Sequence, residues 1–122
     1  MGKRPIKIYR LILLVLISLF LTHIPAVFAQ SAAEFVHLGN VCGKQGKYKE
    51  ALEAYQRVVD AYGEDIYGDD ALFKMAEIYQ YNLKDIEKAK ATYQEVLTKY
   101  PSSVYTVEAR KRFRKLRGDV VN

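Results

Sequence analysis

The 122-residue sequence is poor in the residues that staple, coordinate or catalyse: it has one cysteine, two histidines and no tryptophan. One thiol closes no internal disulfide, so the chain is not a disulfide-built scaffold and its stability must come from packing. Beyond residue 29, His37 is the sole imidazole, and no Cys-His set, Ser-His-Asp set or metal-ligand spacing can be assembled. A Gly-rich phosphate loop is missing too. These absences argue against an enzyme and against any cofactor or metal. The adjacent acids Asp69-Asp70 read more simply as a helix N-cap beside a first-turn acid than as metal ligands. Cys42 reads as a small buried hydrophobe, and His37 as a residue of an outer helix face. The length allows one small domain.

Acidic residues are lacking at the N-terminus. Residues 1–10 carry four positive charges and no negative one, and Leu11 to Leu21 then runs apolar with only Ser18 interrupting. That order is the n-region and h-region of a secretory signal peptide. Pro25 is expected to break the helix, and Ala26-Val27-Phe28-Ala29 supplies a cleavage site. Cleavage after Ala29 would divide the chain into a signal peptide, 1–29, and a domain, 30–122, working in the periplasm or outside a bacterium. The rival is an uncleaved anchor, because residues 11–29 approach the ~20 that span a bilayer. Thr22, His23 and Pro25 argue against it, and a lipoprotein would need a cysteine closer than Cys42. Without residues 1–29 the balance is 15 positive against 14 negative charges. A net charge of +1 is no nucleic-acid footprint, so nucleic acid is not an expected partner.

What the remaining chain does have is a repeat. Ala51, Tyr55 and Val58 recur as Ala89, Tyr93 and Val96 at an offset of 38 residues, and Phe35, Leu38, Gly39 and Cys42 match Leu72, Met75, Ala76 and Tyr79 at an offset of 37. A period of this length marks an all-α solenoid whose units bury their apolar faces against one another. The change of offset adds one residue to the second unit's inner turn near Asn82-Leu83. Helices are expected at about 32–45, 47–62, 69–82, 85–100 and 103–117. Ser31-Ala-Ala-Glu34 is a capping box, Asp69 or Asp70 and Asp85 are N-caps, and Ser102 or Ser103 caps the last helix after Pro101. Gly39, Ala51, Ala76 and Ala89 are assigned to close helix crossings, whereas Ala54 and Ala91 should accept larger side chains.

These residues resemble the tetratricopeptide repeat, whose pattern is an aromatic, Leu-Gly, Tyr, Ala-x-x-x-Phe and Pro. Repeat one, about 32–65, carries Phe35, Leu38, Gly39, Tyr48, Ala51 and Tyr55. Repeat two, about 69–102, carries Leu72, Met75, Ala76, Tyr79, Ala89, Tyr93 and Pro101. The resemblance implies two helix-turn-helix units plus a capping helix, and a protein–protein adaptor with a concave groove. Its inward positions would be Val36, Asn40 and Lys44 in the first unit and Phe73, Glu77 and Tyr81 in the second. Asn40 and Lys44 coincide with positions that some family members use to clamp a peptide carboxylate, while Val36 and Lys74 depart from that clamp. Tyr100-Pro-Ser-Ser-Val-Tyr105 further resembles the repeats of Tol–Pal-associated periplasmic coordinators and outer-membrane-assembly lipoproteins.

The last helix joins an apolar stripe, Tyr105, Ala109, Phe113, Leu116 and Val120, to six positive charges, Arg110, Lys111, Arg112, Arg114, Lys115 and Arg117. The six read as one solvated face. Five of them, Arg110, Lys111, Arg114, Lys115 and Arg117, are candidates for contact with an anionic membrane surface. Because two repeats fall below the ~three that such arrays prefer, an alternative function is a self-associating structural subunit, a homo-oligomer of the envelope.

Overall fold

A computed structural model describes residues 6–28, 31–64 and 66–119. The proposed cleavage junction Ala29-Gln30 and Val120 of the last apolar stripe lie outside the described residues. The chain divides into two units, 1–30 and 31–122.

The first unit is one helix, α1 (Ile6–Phe28), and it continues through Pro25 rather than breaking there. Ile6 to Leu21 are all exposed. Among the described residues no helix is long and apolar enough to cross a membrane.

The second unit is all-α: α2 (Ala32–Lys44), α3 (Tyr48–Tyr62), α4 (Gly68–Glu77, prolonged by a π-helical turn, Ile78–Asn82), α5 (Ile86–Lys99) and α6 (Thr106–Arg117). Each helix packs on the next in sequence. Helices α2 and α3 form one hairpin, α4 and α5 the second, and α6 covers the flank of the second. The core is centred on the repeated positions: Ala51, Val58, Ala76, Ala89, Tyr93 and Val96 are wholly buried, together with Ala71 and with Ala109 of the capping helix. Burying side chains of the size of Val58, Leu72 or Val96 contributes about 1.5–3 kcal/mol each.

The close crossings fall where small residues predict them. A Cβ on Gly39 would lie 2.5 Å from Cε1 of Tyr55, so α2 meets α3 at a distance only glycine permits. Ala76 fills the same role between α4 and α5. Ala91 is exposed, as expected, but Ala54 is buried. The reason is that α3 is covered from both sides, by α2 and by α4, and so buries a wider arc than one stripe.

The additional residue of the second unit is absorbed in the π turn at the end of α4, where Leu83 N–H reaches back to Ile78 O at 2.9 Å. One wide turn takes up a residue while keeping both flanking helices in register. After it, Lys84 holds φ at 55°, the left-handed conformation that Gly46 holds at 74° in the first unit. The two positions are 38 residues apart.

Capping matches at two ends and differs at two. Ser31 and Glu34 form the reciprocal capping box, and Asp85 Oδ1 accepts from Lys88 N–H at 3.1 Å. Helix α4, however, starts at Gly68 with Tyr67 in the cap position, which places Asp69 and Asp70 inside the first turn. Helix α6 starts at Thr106, not 103, because Ser103 is spent on a preceding turn: its Oγ accepts from Tyr105 N–H and its carbonyl from Thr106 N–H.

Candidate partner-binding groove

Both units set a tyrosine at the crossing, and its hydroxyl needs a partner. Tyr55 donates to Asn40 Oδ1 at 2.7 Å, and Tyr93 donates to Gln80 Oε1 at 2.7 Å. Burial opposes the phenolate, which pushes each hydroxyl up to about 12. Both therefore remain neutral donors at physiological pH. Holding Asn40 by its oxygen leaves its Nδ2 as a donor.

Asn40 belongs to an open pocket of about 300 Å³ on the first helices of the two units. Lys44, Tyr48, Lys74, Glu77 and Asn82 also line it. Asn82 Nδ2 donates to Tyr48 Oη at 3.0 Å, which joins the π turn to the start of α3. The lining thus presents two ammonium groups, two amides and two phenols around one carboxylate. Lys74 stands 4.0 Å from Asp70, a weak pairing at a partly exposed site.

Of the groove residues expected from sequence, Asn40, Lys44 and Glu77 come together in this pocket, and Phe73 and Tyr81 do not. Phe73 is buried, stacked on Tyr105 with ring centroids 4.7 Å apart and edge-on to Tyr93 at 5.6 Å. Val36 is buried in the core as well. Phe73 faces inward because α6 lies against it, so this part of the second unit's inner surface is covered by the chain's own last helix, while Tyr81 stays exposed.

The centre of that covering is Arg112. Its guanidinium carbon lies 5.1 Å from the Phe73 ring, 5.4 Å from Tyr81 and 5.9 Å from Tyr93. Its nitrogens donate to Glu77 and Glu108 at 2.8 Å and to Tyr93 Oη at 3.1 Å. Burial works against the charge, but the hydrogen bonds that Arg112 donates to Tyr93, Glu108 and Glu77 outweigh it and hold the guanidinium protonated more firmly than usual. Arg112 is thus no part of a solvated face. Its spacing carries the signal, three residues after Ala109 and four before Leu116, which is the spacing of the apolar stripe.

Two further contacts tie α6 down. Tyr105 Oη donates to Asp70 Oδ1 at 2.7 Å, and this bond, with burial behind it, pushes the phenol up to about 12. Ser103 Oγ donates to Asp69 Oδ2. The acids expected as N-caps are instead clasps between the second unit and the cap, at separations of 34 and 35 residues. On the outer face Arg114 and Arg117 pair with Asp119, whereas Arg110, Lys111 and Lys115 make no ion pair among the described residues. Cys42 is buried and His37 exposed, as expected.

Tyr48 and Asn82 of the pocket are not groove residues of the family pattern, and Lys74 stands at a clamp position with a different residue type. Asn82 was flagged in the sequence solely by the shifted offset beside it, and that shift is the π turn which brings it to Tyr48.

A larger open depression, about 710 Å³, lies at the turns after α3 and α5, between Ile66, Tyr100 and Val104. It is formed by loops and takes in none of the repeated groove positions.

Comparison with known proteins agrees with this geometry. One family model described as tetratricopeptide repeat matches residues 32–65 and another of the same description matches residues 70–103. No curated protein and no solved structure matches the chain. The two matched stretches together span more than half of the sequence and fall on α2–α3 and α4–α5, the hairpins with the glycine–tyrosine and alanine–tyrosine crossings: the chain belongs to the tetratricopeptide repeat family.

Proposed function

We propose that this protein is an exported adaptor of a bacterial envelope that holds an extended peptide segment of a protein partner in the pocket around Asn40, Lys44 and Lys74. The observation that carries the reading is the asymmetry of the inner surface. Arg112 packs on Phe73 and Tyr93 of the second unit, and the open polar pocket remains where the first helices of the two units meet. Lys44, Lys74 and the Asn40 amide are donors, so they fit backbone carbonyls and acidic side chains of an extended ligand. The basic n-region, apolar run and Val27-Phe28-Ala29 support export, and the Tyr100-to-Tyr105 phrase supports an envelope setting by resemblance.

The test is selection of peptides on the full chain followed by affinity measurement on variants. Lys44→Glu and Lys74→Glu should each weaken a selected peptide about ten-fold or more, the scale of a lost charged hydrogen bond. Lys49→Glu, on the exposed side of α3, should change little. Selected peptides insensitive to both pocket changes would refute the pocket. Export is tested separately by the mass of the chain recovered from the producing bacterium, expected to begin at Gln30.

A further inference from the structure

Beyond the pocket, α6 carries a second surface whose character only its packing reveals. With Arg112 turned inward, the outward cations fall into two rows, Arg110, Arg114 and Arg117 at spacings of four and three, and Lys111 and Lys115 at four. These rows are adjacent on one helix. At their foot stand two large aliphatic side chains in water: Val104, 87% exposed in the turn before α6, and Val107, 73% exposed and three and four residues before Arg110 and Lys111. Residues 30–109 carry 13 negative charges against 9 positive, so the basic face is set apart on an otherwise acidic module.

We propose that the outer face of α6, with Val104 and Val107 at its foot, docks on an anionic phospholipid surface. The cations supply attraction to headgroups, and the valines enter the interface between headgroups and acyl chains. Charge alone would suit an acidic protein or a nucleic acid. Single-stranded nucleic acid is gripped by exposed aromatics, and the described outer face offers aliphatic side chains instead. Arg110, Lys111 and Lys115 make no ion pair among the described residues, and the exposed valines beside them suit the boundary of an anionic bilayer better than an acidic protein surface.

The experiment places an environment-sensitive fluorophore at Val104→Cys in the full chain; Cys42 is buried and escapes labelling. Added phosphatidylcholine vesicles should leave the emission nearly unchanged. Vesicles that also contain phosphatidylglycerol should shift it to that of an apolar setting. Each cation removed should weaken the contact about five-fold, so Arg110→Gln, Lys111→Gln and Lys115→Gln combined should weaken it on the order of 100-fold. Rising salt should weaken it as well. The same fluorophore at Glu53→Cys on α3 should not respond. An equal shift in both lipids, a shift indifferent to salt, or an equal shift with poly-glutamate in place of lipid would overturn the proposal. The salt series on the otherwise unaltered labelled chain decides the matter if the triple variant fails to fold.

Discussion

In repeat one the crossing tyrosine, Tyr55, hydrogen-bonds Asn40 within its own unit, and Asn40 stays on an open pocket. In repeat two the equivalent Tyr93 bonds Gln80 and also accepts from Arg112 of the capping helix. The crossings are built alike, with a residue too small to obstruct and a ring that fills the space beyond it. What differs is what lies against the unit's inner side. Asn40 and Lys44 of repeat one open onto a pocket shared with Lys74, Glu77 and Asn82 of repeat two, whereas Phe73 of repeat two packs against Tyr105 and Arg112. Stability and recognition thus draw on the same set of inward positions, and the final helix decides which of them stay free.

Enlarging the crossings should break both units by the largest margin. Ala51→Leu and Ala89→Leu, at wholly buried sites, should each cost about 1–3 kcal/mol or more by overpacking. Ala54→Leu should join them because α4 covers it, while Ala91→Leu stays within about 0.5 kcal/mol. Denaturant midpoints of the four variants check this order. Gly39→Ala is gentler. The methyl meets the Tyr55 ring, but the helix gains about 1 kcal/mol from replacing glycine, so a net loss of about 1 kcal/mol is expected.

Smaller still is a gain. Lys84 holds the left-handed conformation that repeat one gives to Gly46, so Lys84→Gly should stabilise the domain by up to about 1 kcal/mol, read as a raised thermal midpoint. An alkaline titration gives the finest comparison. Tyr55, Tyr93 and Tyr105 are pushed up to about 12, above the ordinary value near 10. Their contribution is therefore intact below about pH 10 and lost as pH rises toward 12. Tyr55→Phe and Tyr93→Phe should each flatten part of that fall in denaturant stability. Unchanged slopes would show that the hydroxyl bonds do not couple to folding.

Much of this was legible in the sequence because repetition reports packing directly. Ala51 and Ala89, or Gly39 and Ala76, recur because each pair of helices meets at the same distance, and the shift from 37 to 38 residues marked where the π turn would lie. Other features were hidden for physical reasons. Arg112 sits among six cations within eight residues, so its charge masked the apolar-stripe spacing that turns it inward. Asp69 and Asp70 satisfy the local rule for a cap, yet Ser103 and Tyr105 compete for them across the turn into α6. Phe73 occupies a groove position of the repeat pattern but is covered by the capping helix, while Tyr81 stays exposed with Arg112 over its ring, and spacing within one repeat reveals neither.

The central claim is that recognition is confined to the pocket between the first helices of the two repeats because Arg112 occupies the surface around Phe73 and Tyr93 of repeat two. The direct measurement is an NMR titration of the full chain with a peptide selected on it, following side-chain and backbone signals on both units. Shifts should gather at Asn40, Lys44, Lys74 and Asn82, while Phe73, Tyr105 and the Arg112 guanidinium stay where they are. Peptide-induced shifts centred on Phe73 and Tyr81, with release of Arg112 from Glu77, would contradict the account.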